Sequence, residues 1–256
     1  MKDSAFSTGV ALVVGGGGGV GGAVAKALAA QGAALALTYR NSSTQAAAVA
    51  EAIIAQRGKV QLASLDLTDS AAVARTVAEI EASAGGINTV IYAAGPMLPF
   101  RFLSSVEPDE MRQFLEGDTL AFFNLMHACI PALRKTSGSV VAIHTTGLYR
   151  WPSKDGLSVV PKAGVESMVK GFAREEGRFG VRFNGVALGV MDGGLLDKMK
   201  ASGAIDDRFV EATKKMTPLG RLGRLEEVAD AAAFLASSKA AYITGHSLVV
   251  DGGFHL

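Results

Sequence analysis

Seven residues near the start of the chain, Gly15-Gly16-Gly17-Gly18-Gly19-Val20-Gly21, have the composition of a phosphate cradle. Glycine allows positive φ in a tight turn and lets a pyrophosphate approach the backbone. A helix opening just beyond offers free N–H groups and a partial positive charge. The run follows Val10-Ala11-Leu12-Val13-Val14, which reads as a buried strand, and leads into the Ala-rich, helix-patterned stretch Val20 to Gln31. This strand–turn–helix setting predicts a dinucleotide site lined by Gly15, Gly17, Gly18, Gly19, Val20 and Gly21. The next strand ends Leu37-Thr38-Tyr39-Arg40-Asn41-Ser42, without the Asp or Glu that an NAD site places there for the ribose hydroxyls. Arg40 can pair with a 2′-phosphate instead, beside Tyr39, with Asn41, Ser42 and Ser43 donating hydrogen bonds. We therefore expect NADP(H) rather than NAD.

The elements that must position this loop alternate along the chain. Strands are expected at Ala34–Tyr39, Val60–Leu65, Thr89–Ala93, Ser139–His144, Val181–Val186 and Ser247–Val250. Helices are expected at Thr44–Gln56, Ser70–Ala84, Pro108–Glu116, Thr119–Leu133, after Ser158, and at Leu225–Leu235. Such alternation predicts an α/β fold: one Rossmann-like domain over residues 1–256, a doubly wound parallel sheet of about seven strands with helices on both faces. The least regular stretch, Gly189 to Met216, is expected to form a substrate lid.

Composition narrows the class further. Hydrophobic residues make up 49% and charged residues 19%, enough for a substantial core and some subunit contact. A formal net charge of +1 gives no electrostatic case for nucleic acid or an anionic membrane surface. No apolar run approaches the ~20 residues needed to span a bilayer, and residues 1–9 show no secretory signal. The single cysteine, Cys129, cannot form an internal disulfide, which suits a cytoplasmic location. No metal site is expected.

With these motifs in place, the chain resembles the short-chain dehydrogenase/reductase family nearly end to end. Val13-Val14-Gly15 to Gly21 matches its Thr-Gly-x-x-x-Gly-x-Gly, with Val14 for Thr. Asp66-Leu67 matches the residues placed beside the adenine, and Tyr92-Ala93-Ala94-Gly95 matches Asn-Asn-Ala-Gly with both asparagines replaced. Gly220-Arg221-Leu222-Gly223 through Asp251-Gly252-Gly253 resembles the tail of a 3-oxoacyl-carrier-protein reductase-like member. The resemblance implies a cofactor site that also includes Ala93, Ala94, Gly95, Lys162, Gly189 and Val190, the last two beside the nicotinamide carboxamide.

The resemblance also implies a catalytic set, and here the chain departs from it. Lys162 occupies the family lysine position, Thr145 the serine position and Asp118 the asparagine position. Ser158, four residues before Lys162, stands where the family carries its proton-donating Tyr. An aliphatic hydroxyl is a far weaker acid than a phenol of pKa about 10, and a neighbouring lysine cannot bring it to neutrality. Tyr149, four residues beyond Thr145, and Asp118 are the candidate replacement acids, and His144 is expected to face away. Lys154 and Asp155 read as solvated loop charges, and Glu175 and Glu176 as a solvated helix face.

Met97, Leu98, Phe100, Trp151, Met191, Leu195, Leu196 and Met199 suggest an apolar pocket, with Arg101 and Arg150 available to an anionic group. The expectation is an NADP(H)-dependent oxidoreductase acting on a carbonyl/hydroxyl pair of a small, largely apolar molecule, assembled as a homo-oligomer (tetramer or dimer). The alternatives are a nucleotide-binding relative without reductase activity, acting as sensor or partner subunit, and a non-redox reaction on the same scaffold.

Overall fold

The structure is a computed structural model describing residues 9–256, so all but Gly9 of the segment read as lacking a secretory signal lies outside it. Strands β1 (Val10–Val14), β2 (Ala34–Tyr39), β3 (Val60–Ser64), β4 (Ile87–Tyr92), β5 (Ser139–Thr145) and β6 (Arg182–Leu188) precede a two-residue pair, β7 (Met191–Asp192) and β8 (Gly223–Arg224), and β9 (Ser247–Val250). Seven of them form one parallel sheet in the order β3-β2-β1-β4-β5-β6-β9. The helices are α1 (Gly19–Ala30), α2 (Ser43–Ala55), α3 (Ser70–Ala84), α4 (Pro108–Phe114), α5 (Ala121–Thr136), α6 (Gly156–Glu176), α7 (Leu195–Ala201), α8 (Asp207–Met216) and α9 (Leu225–Ala236).

Side chains of a strand alternate between faces, and β1 shows the consequence. Leu12 and Val14 join a core with Val77 of α3, Leu125 of α5 and Val165 of α6. Ala11 and Val13 join the opposite core with Leu28 of α1 and Val228 of α9. Both faces of the sheet are therefore dry, which explains why the central strands are unbroken apolar runs. The strand order reverses at β1, between β2 and β4, so the carboxyl ends of β1, β4, β5 and β6 open onto one crevice at the switch point.

Four expectations need correction. The helices expected at Pro108–Glu116 and Thr119–Leu133 are not separate: α4, a π turn at Leu115–Leu120 and α5 run on through Gly117 without interruption. The wider turn carries Asp118 inward, to 3% exposure. Helix α6 begins at Gly156 rather than after Ser158, placing Pro161 in its second turn. The Asp155 carbonyl accepts from the amides of Ser158 and Val159, and the Pro161 carbonyl accepts from Thr119 Oγ1. The expected lid is largely regular: α7 and α8 fold over their own small core of Leu196, Met199, Ile205, Val210 and Leu222, with Phe100 from the loop after β4 packed against it. Glu176 is buried rather than solvated, its two oxygens 2.6 and 2.7 Å from Arg134.

Candidate active site

The turn after β1 is built for close approach. Gly15 has φ +80°, and a Cβ there would lie 2.7 Å from Ala93 O. A Cβ on Gly21 would collide with the Gly15 carbonyl. The amides of Gly15 and Gly16 donate to Thr38 O at 3.1 and 3.0 Å, pinning the turn to the end of β2. Gly18 precedes α1, and among the described residues no side chain caps the first turn of α1. An uncapped first turn next to a cradle without Cβ atoms fits a pyrophosphate, which would itself cap the helix.

The residues expected to read the ribose lie on one side of this cradle. A Cβ on Gly17 would be 3.0 Å from Ser42 Oγ, so the start of α2 meets the glycine turn. Tyr39 ends β2, and Arg40 and Asn41 link it to Ser42, the residue preceding α2. Arg40 is exposed. Asp66 follows β3, where hydrogen bonds from the Thr68 amide (3.0 Å) and hydroxyl (2.8 Å) hold its carboxyl below the usual range, with a smaller contribution from Arg40. Leu67 is buried, and its carbonyl accepts from Asn124 Nδ2 at 2.9 Å.

Lys162 is the centre of the second cluster. Its Nζ donates to Asp118 Oδ1 at 2.9 Å and to Ala94 O at 3.1 Å. It also lies 5.0 Å from the centroid of the Tyr92 ring and 4.0 Å from where a Cβ on Gly95 would be. The Tyr92 hydroxyl donates to Asp118 at 2.9 Å from both its carbonyl and Oδ1. Burial, and then the adjacent Asp118 carboxylate, push the Tyr92 phenol far above its ordinary value, so it stays a donor. Sequence reading missed Tyr92 as a partner. The signal lay in two departures from the family pattern, at 92 and 118, which the structure joins by one hydrogen bond.

Thr145 ends β5, and its Oγ1 accepts from the Gly147 amide at 3.0 Å, leaving its own O–H free to donate. Ser158 lies in the first turn of α6, half-buried. Gly189 and Val190 follow β6, with the Gly189 amide on Val250 O at 3.1 Å and the Val190 carbonyl accepting from Gly223. The lid meets the glycine turn at Gly194: a Cβ on Gly19 would lie 2.5 Å from Gly194 Cα.

Other expected residues are engaged elsewhere. Tyr149 donates to Glu166 Oε1 at 2.8 Å, and burial together with that bond raises its phenol. His144 is buried against Gly185 with Nε2 3.1 Å from Ser247 Oγ, and burial lowers its pKa to about 4, so it is neutral. Arg101 is paired with Glu110 at 3.0 Å, and Arg150 donates to Phe254 O at 2.7 Å while covering the Phe254 ring. Neither arginine is free for an anionic substrate group, a correction to the expectation. Asp155, expected as a solvated loop charge, is half-buried, and burial raises its carboxyl to about 7.

Comparison with known proteins agrees with this geometry. Residues 14–255 match the family model described as Enoyl-(Acyl carrier protein) reductase. The uncharacterized oxidoreductase YmfI of Bacillus subtilis is 30% identical over 251 residues, covering 96% of this chain and 98% of that protein. The 3-oxoacyl-[acyl-carrier-protein] reductase FabG of Escherichia coli is 31% identical over 252 residues, covering 98% and 99%. A short-chain dehydrogenase/reductase from Serratia marcescens superposes with a TM-score of 0.89 at 29% identity, covering 98% of this chain and 99% of that one. A gluconate 5-dehydrogenase from Burkholderia cenocepacia, solved with NADP and tartrate, gives 0.88 at 27%, covering 98% and 97%. The chain therefore belongs to the short-chain dehydrogenase/reductase family as a FabG-like member.

Proposed function

We propose that this chain is an NADPH-dependent reductase of a carbonyl group on a small, largely apolar substrate, working without the family tyrosine. The observation that carries the reading is the placement of Lys162 Nζ at Ala94 O, at the mouth of a crevice whose other wall is the uncapped glycine turn. Gly15 to Gly21 would hold the pyrophosphate, Arg40 and Ser42 a 2′-phosphate, and Lys162 the nicotinamide ribose. When bound, the nicotinamide supplies the hydride. The Thr145 hydroxyl donates to the substrate oxygen and orients the carbonyl, and Phe100 and the α7–α8 core exclude water from it.

NADPH oxidation against a panel of ketones, aldehydes and β-keto thioesters tests this reading. Turnover is expected, with NADPH bound at least tenfold more tightly than NADH, and Arg40→Ala removing most of that preference. Equal or tighter NADH binding would refute the cofactor assignment. The direct Lys162–Asp118 pair favours a second reading, a nucleotide-binding protein that reduces nothing. Tight NADPH binding without turnover, in the parent and in Ser158→Tyr alike, selects it.

A homo-oligomer is part of the proposal. Leu120 and Phe123 are 49% and 45% exposed and, with Met111 and Met168, line an apolar groove of about 660 Å³ beside α6. Light scattering of the parent and Phe123→Asp measures whether that face pairs.

A further inference from the structure

The Lys162 ammonium is held by three groups from two other elements. The end of β4 supplies two of them: the Tyr92 ring, its centroid 5.0 Å from Nζ, and the Ala94 carbonyl just beyond the strand, 3.1 Å away. The π turn supplies the third, Asp118 Oδ1 at 2.9 Å. An ammonium has three N–H donors. Two are committed to these oxygens, and among the described residues no further acceptor meets Nζ. The Lys162 side chain is 12% exposed against 4% for Asp118, so the lysine is the member of the pair that a ligand can reach.

Tyr92 fixes the other member. Its hydroxyl donates at 2.9 Å to both the carbonyl and Oδ1 of Asp118, so one group sets the backbone and the side chain of the same residue. The Tyr92 ring is itself fully buried, edge-on to Phe122 with centroids 5.1 Å apart. Helix α6 is tied to the same π turn. Thr119 Oγ1 donates to Pro161 O at 2.9 Å, and a Cβ on Gly164 would lie 2.6 Å from Thr119 Cγ2, so the glycine two residues past Lys162 is what permits the approach. A lysine stem ordinarily has much rotamer freedom to lose when its ammonium binds a ligand. Here that freedom is lost on folding, before any ligand arrives.

We propose that Tyr92 is the positioning residue of the nicotinamide-ribose contact. Through Asp118 it presets the Lys162 ammonium and leaves one N–H to donate to a ribose hydroxyl oxygen. Tyr92 is fully buried and acts only through these two residues. The departures from the family pattern at 92 and 118 are then one device rather than two losses. The proposal rests on the reading of Lys162 as the holder of that ribose.

Titration calorimetry with two probes tests it. NADPH carries the nicotinamide ribose, and 2′,5′-ADP carries only the adenosine 2′-phosphate end. Tyr92→Phe keeps the ring and deletes the hydroxyl. It is expected to weaken NADPH about tenfold and to leave 2′,5′-ADP within about twofold of the parent. Lys162→Met is expected to weaken NADPH at least as much, again without moving 2′,5′-ADP. In the double variant the effect of the tyrosine should vanish, with NADPH bound as by Lys162→Met alone, because the tyrosine acts through the lysine. A merely structural tyrosine would weaken both probes, or add its loss to that of Lys162→Met, and either result overturns the proposal. So does a Tyr92→Phe variant that binds NADPH like the parent. If Tyr92→Phe does not fold, Asp118→Asn, which keeps the shape and removes the charge, takes its place in the same cycle with the same expected pattern. If Lys162→Met binds NADPH like the parent, or the parent does not bind it, the ribose reading of Lys162 fails and takes the proposal with it.

Discussion

The two ends of the Asp155–Ser158–Lys162 stripe on α6 treat buried charge in opposite ways. At the Lys162 end, ammonium and carboxylate meet at 2.9 Å, with Tyr92 and Ala94 O taking up further hydrogen-bonding capacity. At the Asp155 end, a carboxyl is half-buried with neither a protein donor nor a counterion among the described residues, although Arg101 and Lys154 are adjacent. A charge with full partnership serves as architecture and as an anchor. A charge without partners is the one whose proton can move near neutrality. The family keeps its acid in the middle of this stripe. Here position 158 holds a serine.

The largest effect should come from breaking the partnered end. Lys162→Met leaves Asp118 buried and uncompensated, and is expected to cost about 3 kcal/mol of stability in urea unfolding. Adding Asp118→Asn should recover most of that loss, because the orphan charge goes with it. A loss below about 1 kcal/mol would mean that Asp118 relaxes to solvent and that the two ends are not different in kind.

The bare end should behave oppositely, with removal of the charge stabilising the fold. Burial raises the Asp155 carboxyl from an ordinary 3.8 to about 7. Its ionisation therefore opposes folding: stability is fully present below the unfolded value and is lost as pH rises through 7. Asp155→Asn is expected to track the parent near pH 4 and exceed it by about 2 kcal/mol at pH 8, allowing for solvent screening at a half-buried site. Thermal melts across that range read the difference directly. Curves that stay parallel from pH 4 to 8 would show an Asp155 with ordinary acidity.

Tyr92→Phe probes the partnered end more gently. It deletes the hydroxyl that donates to Asp118 and keeps the Lys162 pair, so a loss of about 1.5 kcal/mol is expected in the same unfolding measurement. A neutral result would mean that the ion pair alone orients Asp118.

How much of this was legible in the sequence follows from the range of each interaction. The sheet, the glycine turn and the helices of both layers are written in local periodicity, and the sequence reading places them within a few residues. Gly117 misled because glycine usually marks a stop, whereas a π turn absorbs it without interrupting the helix. Asp155 misled because its neighbours, Ser153, Lys154 and Gly156, look like an open loop. What buries it is the segment Arg101 to Leu103, some fifty residues earlier, brought alongside by the β4–β5 pairing. Tyr92 and Asp118 are 26 residues apart and belong to different elements, so a pair of departures from a family pattern was readable while the bond joining them was not.

The smallest expected effect concerns the acid that sequence reading favoured among the nearby tyrosines. Tyr149 lies close to Thr145 in the chain and has the right functional group, but its hydroxyl donates to Glu166 Oε1 and its ring is edge-on to His255. Glu166 is also paired with Lys170, 3.3 Å away, so removing the hydroxyl leaves the carboxylate with a cation. The residue is 43% exposed, and water can replace the lost donor. Tyr149→Phe should therefore change stability by less than about 0.5 kcal/mol and NADPH-dependent turnover by less than threefold. A loss of 100-fold in kcat/KM would make Tyr149 the proton donor, and require the Glu166 contact to open during the reaction.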